Sequence, residues 1–375
     1  MPIPPILCVS GESGSGKTTL LERLIAALRD DGVRVAAVKR AGGALAVGEA
    51  GKDSSRLAAA GARPAVAVGP GELIVQHAAA EAHLLDLAAH FCADRDVVLA
   101  EGYKHSPYEK IVVLGEDEPR GPQAPQELPS VRLVVSAGAR KAEGELSRDD
   151  VPAIAEWVTG WLARRRQLAG DVAGAILTGG ASRRMGADKA SMRLGTGSVL
   201  GRLAELLGSR LGEVLAVGRP VSVEDAPKCL AWHLDIRPGL GPLGGVATAL
   251  RVAAAGRPRA VLVVACDMPA LGPQAVDLLL DGRRADRPAS ALRNPRTGRL
   301  EPLAAIYEPQ ALDGIEAALD TGRLAATEWL ALAGAHEVQI PSQLADQLAN
   351  VNTPEELKDL RRQTRRDDDR TGLRK

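Results

Sequence analysis

The chain has 375 residues, 45% of them hydrophobic and 25% charged, with Lys plus Arg and Asp plus Glu equal at 47 each. That length suggests two domains, and the balanced charge argues against a nucleic-acid or membrane partner. Aromatic content of 2% argues against base stacking on single strands, and four cysteines without a C-x-x-C pair argue against a disulfide framework or a zinc site.

The first half alternates two periodicities. IPPILCVS is a short apolar run that stops at a glycine loop, and TTLLERLIAALRD has helical spacing up to Gly32. VRVAAVK, ARPAVAVG, ELIVQ, DVVLAEG, KIVVLG and VRLVVSA read as strands, with KDSSRLAAAGA and AHLLDLAAHFC as helices between them. Such alternation implies a largely parallel sheet covered by helices. VPAIAEWVTGWLARRR closes the half as a helix, with Trp157 and Trp161 four apart on a face read as core packing.

Near Ala163 to Asp171 the composition turns basic and the periodicity stops, so a linker is expected at 167–171. Alternation then restarts with VAGAILT, SVLGRLAELLGSRL, EVLAVG, GGVATALRVAAAG, AVLVVACD and PQAVDLLLDG, followed by strands at RPASALR and LEPLAAIY. TPEELKDLRR has the form of a capping box, Thr353 to Glu356 with Pro354 between. Residues 361–375 are a charge run without an apolar face and are expected as a disordered tail. The expected domains are 1–166 and 172–360, both α/β with mainly parallel sheets.

Gly11 to Thr18 fits G-x-x-x-x-G-K-[ST], with a strand leading in and a helix leading out. Gly14 and Gly16 let the backbone curl until its N–H groups converge on an anion, and the helix N-terminus adds its dipole. Lys17 can reach the β- and γ-phosphates, the Thr18 hydroxyl can bind Mg²⁺, and Thr19 follows on the same turn. A magnesium-holding acid is expected at a strand end, where DVVLAEGYK offers Glu101. Asp53 is a second acid, equally readable as a helix cap.

GESGSGKTTLLERLIAAL, VAAVKR, GKDSSRLAAAGA and LAEGYKHSPYEKI together resemble the molybdopterin-guanine dinucleotide biosynthesis adaptor family, MobB, over residues 4–165. The resemblance implies a P-loop NTPase-type domain with GTP as ligand. It departs at Lys39-Arg40-Ala41-Gly42-Gly43, where family members carry histidines.

The second half has a different glycine loop, LTGGASRRMGADK, from Leu177 to Lys189. Gly179 and Gly180 permit close backbone approach to a nucleotide, and Arg183, Arg184 and Lys189 are cations suited to a triphosphate. AVLVVACDMP ends a buried-looking strand in Asp267, where ligands bind in open α/β sheets and where Mg²⁺ would find a carboxylate. LDIRPGLGPLGG places Asp235 ahead of a turn-rich loop at a helix N-terminus.

LTGGASRRMGADK, DIRPGLGPLGG, CDMP, EPLAAIY and NVNTPEEL resemble the molybdenum cofactor guanylyltransferase family, MobA, over about residues 172–360. The resemblance implies a Rossmann-like nucleotidyltransferase fold, with Leu177, Thr178, Gly179, Gly180, Lys189 and Asp235 at GTP and Asp267 at Mg²⁺. LTGG and GPLGG look like the guanine type rather than the cytidylyl type with LAAG, although Thr178 replaces the usual alanine. The chain thus resembles a fusion of the two families. Transfer of GMP from GTP to molybdenum-bound molybdopterin is implied, with Lys189, Arg183, Arg184 and Asp267 as catalytic residues and molybdoenzymes or their chaperones as partners.

Two other readings remain open: a cytidylyl- or sugar-phosphate nucleotidyltransferase, and a cofactor-delivery GTPase adaptor without catalysis. His233 and His336 are read as structural. MPIPPILCVSGE has no basic n-region and no apolar run is long enough to span a bilayer, so a cytoplasmic location is expected.

Overall fold

The computed structural model describes residues 3–41, 60, 65–70, 72–76, 83–115, 128–137, 144–178, 189–194, 197–221, 223, 226–255, 259–351 and 356. The first half runs β1 (Ile6–Ser10), α1 (Lys17–Asp30), β2 (Val35–Lys39), β3 (Ala65–Gly69), β4 (Glu72–Gln76), α2 (Leu84–Phe91), β5 (Val97–Glu101), β6 (Lys110–Leu114), β7 (Val131–Ser136), β8 (Glu145–Ser147) and α3 (Val151–Asp171). The second half begins with β9 (Val172–Leu177), a 3-10 turn at Lys189–Ser191, β10 (Arg193–Leu194), β11 (Gly197–Ser198), α4 (Val199–Gly208), β12 (Val214–Val217), β13 (Ala231–His233) and α5 (Gly241–Ala253). It continues with β14 (Ala260–Ala265), α6 (Pro273–Asp281), β15 (Ala289–Arg293), β16 (Leu300–Tyr307), α7 (Ala311–Asp320), α8 (Ala326–Leu332) and β17 (His336–Gln339).

The first sheet has the order β2-β5-β1-β6-β7-β8 with every pair parallel. β1 is buried along its whole length, as a central parallel strand covered on both faces must be. Leu7 and Val9 pack under α1 and α3, while Ile6 and Cys8 pack against α2 on the opposite face.

The second sheet has the order β13-β12-β9-β14-β16-β15-β17. It is mainly parallel, with β16 alone antiparallel to its two neighbours. α4 and α6 cover one face and α5, α7 and α8 the other. Ser198 caps α4 by accepting from Gly201 N at 3.0 Å, and Asp150 caps α3 by accepting from Ala153 N at 3.2 Å. Such caps contribute about 1 kcal/mol each.

Two expectations change. ARPAVAVG and ELIVQ do form strands, but β3 and β4 pair antiparallel in a separate two-stranded ribbon rather than joining the parallel sheet. Only two residues separate them, and a parallel pair needs a crossover of a dozen or more. The linker expected at 167–171 is helical instead: α3 runs through Asp171 and β9 starts at Val172. Two of the basic residues that suggested a coil are paired on the helix, Arg165 with Glu109 and Arg166 with Asp96.

The helix expected over KDSSRLAAAGA with Asp53, most of the TPEELKDLRR capping box and the 361–375 tail lie outside the described residues. Among the described residues no helix is long and apolar enough to cross a membrane.

Candidate active sites

The loop from Gly11 to Gly16 leaves the carboxyl end of β1. Gly11 is required by close packing, because a Cβ there would stand 2.2 Å from the Val113 carbonyl oxygen. Gly16 has φ 88 and caps α1 with no side chain, leaving the first N–H groups of the helix directed at the loop. Lys17 opens the helix and its ammonium bonds the Glu12 carbonyl oxygen, folded back over the loop where a phosphate would be cradled.

Thr18 and Glu101 come together at the loop. The Thr18 hydroxyl lies 3.1 and 3.0 Å from the two Glu101 carboxylate oxygens. Parallel pairing causes this, since β5 lies beside β1 with Val9 in register with Glu101. A hydroxyl and a carboxylate side by side are hard oxygen donors, which fit Mg²⁺ held by few protein ligands plus phosphate. Thr19 follows on α1.

Three cations at this loop were missed as site residues. Lys39 ends β2 and reaches Glu101 at 3.1 Å and the Thr18 hydroxyl at 3.4 Å. Lys104 pairs with Glu12 at 2.5 Å, and this hydrogen bond and charge hold the Glu12 carboxyl below the usual range. Arg148, just after β8, donates to the Ser15 carbonyl oxygen at 2.8 Å. Lys39 was findable, because it ends a strand as Glu101 does. Arg148 carried no local signal.

In the second half the site is set by strand order. β9 has β12 on one side and β14 on the other, so a crevice opens at their carboxyl ends. Leu177, Thr178 and Asp267 leave the sheet there, with Ala265 in register with Leu177 and Cys266 N directed at the Leu177 carbonyl oxygen at 3.4 Å. The Thr178 hydroxyl donates to the carbonyl oxygens of Val217 and Arg219 at 3.2 and 3.1 Å, so it braces the exits of β9 and β12. The Asp267 carbonyl oxygen accepts from Val351 N at 2.7 Å, which brings the start of the NVNTPEEL segment to this strand end.

Glu301, on β16, is the acid that the sequence reading left unassigned within EPLAAIY. Burial pushes its carboxyl up, the Asn294 amide at 2.8 Å offsets part of that, and the negative charge of Asp267 pushes it up further. Two carboxylates that disfavour each other's charge suit a cation between them. Asp235 leaves β13 at the same edge. Its carboxyl is raised by burial, and its Oδ1 atom is buried with no hydrogen-bond partner among the described residues. Ile236 N bonds the Thr248 hydroxyl at 3.1 Å, which ties the following loop to α5. The N-terminus of α5, at Leu240, also has no side-chain cap.

Lys189 opens the 3-10 turn, its side chain outside the described part, and Gly179, Gly180, Arg183 and Arg184 lie outside it altogether. His233 and His336 sit on β13 and β17. Among the described residues no three of His, Cys, Asp and Glu cluster as a metal site, so any metal here would rely on one or two carboxylates and the substrate phosphates.

Residues 6–137 match the family described as molybdopterin guanine dinucleotide synthesis protein B, and residues 174–338 match the MobA-like NTP transferase domain. The probable molybdenum cofactor guanylyltransferase of Opitutus terrae is 34% identical over 189 residues, 49% of this chain and 92% of that protein. The molybdenum cofactor guanylyltransferase of Mesorhizobium japonicum is 34% identical over 195 residues, 50% of this chain and 93% of that protein. The solved structure of Bacillus subtilis MobB is 26% identical, aligns with 42% of this chain and 96% of its own, and has a TM-score of 0.35.

Proposed function

Because the chain belongs, through its second half, to the molybdenum cofactor guanylyltransferase family, and its first half is of the MobB family, we propose that it is a bifunctional nucleotidyltransferase with an attached GTP-binding domain. The second half transfers GMP from GTP to the terminal phosphate of molybdenum-bound molybdopterin and releases pyrophosphate. The single observation that supports this site is the convergence of Thr178, Asp267 and Asp235 on one sheet edge, with the Glu301 carboxyl beside Asp267.

The chemistry is an in-line displacement. An oxygen of the phosphomonoester forms a bond to the α-phosphorus while the bond to the departing pyrophosphate breaks. The attacking phosphate is already largely ionised near neutral pH, so no strong general base is needed. The obstacle is the approach of two anions. Lys189, Arg183 and Arg184 supply positive charge to the α-phosphate and the leaving group. Asp267 and Glu301 would hold Mg²⁺, which when bound neutralises triphosphate charge. Asp235 and the N-terminus of α5 receive the nucleoside end, where a buried carboxylate oxygen awaits a donor. In the first half Lys17 and the loop amides hold the β- and γ-phosphates of GTP, with Thr18 and Glu101 as ligands for a second Mg²⁺.

The test is to incubate the purified full chain with molybdenum-bound molybdopterin, Mg²⁺ and GTP, CTP, ATP or UTP in turn. Guanine dinucleotide and stoichiometric pyrophosphate from GTP alone are expected. Turnover of CTP with GTP inert would replace the reading by a cytidylyltransferase. No pyrophosphate from any nucleotide would leave a delivery adaptor. Molybdoenzymes or their chaperones are the expected recipients of the product.

A further inference from the structure

A cluster of buried charges joins the two halves. Arg210, at the end of α4, is fully buried. Its guanidinium bonds Asp277 of its own half at 3.0 Å, and across the boundary it reaches the Ser130 hydroxyl at 2.6 Å and the Pro107 carbonyl oxygen. Arg132 of the first half bridges in return, with Glu109 at 2.5 Å and Asp277 at 2.7 Å. Glu109 also accepts from Trp161 Nε1 at 2.7 Å and from Arg165 Nε at 2.5 Å, so α3 is bound into the same cluster.

Charges as deep as Arg210, Arg165 and Glu109 are costly unless every partner is present. Here each guanidinium has a carboxylate, and the partners come from both halves. The set is satisfied only when the halves meet in one orientation. Backbone N–H groups extend the contact: Ile3 N donates to the Gly212 carbonyl oxygen at 3.0 Å, and Cys229 N donates to the Asp86 carboxylate at 3.0 Å. Gly208 completes it by close approach, since a Cβ there would stand 2.6 Å from a methyl of Leu85 in α2. The covalent connection adds no slack, because α3 passes into β9 without a coil.

We propose that the first half is the built-in docking partner of the surface formed by Arg210, Asp277 and Gly208, so that the chain works as one rigid unit rather than as two tethered domains. Glu109, Ser130 and Gly212 immediately precede or adjoin β6, β7 and β12, so the dock uses the amino-terminal edges of these strands. Both nucleotide loops leave the carboxyl ends of β1 and β9. The Gly11–Gly16 loop and the end of β9 at Leu177 therefore lie at the opposite ends of their strands from the dock.

The experiment is amide hydrogen exchange on the full chain, resolved at Ile3 and Cys229, whose bonds cross the boundary, and at Leu99 and Leu262, inside the two sheets. In the wild type all four are expected to be protected. Arg210→Ala removes the hub, and Gly208→Leu wedges α4 from Leu85 while leaving the charges in place. Each is expected to speed exchange at Ile3 and Cys229 by on the order of a hundredfold while Leu99 and Leu262 stay protected. Unprotected Ile3 and Cys229 in the wild type, with Leu99 and Leu262 protected, would overturn the proposal. So would Gly208→Leu exchanging like the wild type. If Arg210→Ala also exposes the sheet amides, the wild type and the Gly208 variant still decide.

Discussion

Thr18 and Glu101 are 83 residues apart, yet the Thr18 hydroxyl is within 3.1 Å of both oxygens of the Glu101 carboxylate. One lies on the first turn of α1 and the other at the end of β5, and the parallel pairing of β1 with β5 brings them together. Lys39 closes the group from β2. Glu101→Gln keeps the shape and removes the charge. Nucleotide affinity of the first half is expected to fall roughly tenfold or more with Mg²⁺ present, and to change little in EDTA. Titration of a fluorescent GTP analogue under both conditions reads this directly.

Asp267→Asn is expected to lower dinucleotide synthesis about a hundredfold or more, the scale of losing one electrostatic stabiliser of the transition state. The melting temperature should move little, because the asparagine fills the same space at the end of β14. Pyrophosphate release and a thermal melt on the same sample separate the two effects. Near-normal turnover would place the metal elsewhere.

Glu301 offers a pH test. Its folded-state carboxyl is raised above the ordinary range by burial and by Asp267, so ionising it costs stability as pH climbs through that value. Glu301→Gln removes the cost. Without Mg²⁺ the variant is expected to melt higher than the wild type at pH 7, and the gain should vanish below about pH 4, where the wild-type carboxyl is protonated folded or unfolded. Added Mg²⁺ should raise the wild-type melting temperature more than that of the variant.

Glu109 has the opposite sign. Burial pushes its carboxyl up, but the guanidinium groups of Arg165, Arg132 and Arg210 outweigh that and bring it down to about 2 from 4.5. A depressed carboxylate contributes stability that is present above its unfolded value and lost as pH falls towards the folded one. The loss is about 3 kcal/mol in all, spread between roughly pH 4.5 and 2. Denaturant unfolding across that window should show the decline in the wild type and a flatter profile in Glu109→Gln, which starts less stable at pH 7.

Much of the two candidate sites was legible locally. A phosphate loop is a contiguous run, so its glycines, Lys17 and Thr18 can be read from neighbouring positions. Glu101 and Asp267 were legible for a related reason: each ends an apolar run, and ligands gather at the carboxyl ends of parallel strands. Lys104, Arg148 and Glu301 were not. Each reaches its site from an element whose neighbours in space are remote in sequence, Arg148 by 133 residues from Ser15.

The sequence by itself determined the two α/β halves, the order of most strands and helices along the chain, and both candidate nucleotide loops, because periodicity and loop chemistry are local properties. Only the tertiary structure decided that β3 and β4 leave the parallel sheet, that α3 enters β9 without a linker, and that Arg210 of one half is buried against Ser130 and Pro107 of the other. A basic stretch has the same composition whether it is a solvated coil or a helix with two of its arginines held by carboxylates. Its partners, Glu109 and Asp96, lie more than fifty residues away, and only folding places them beside it.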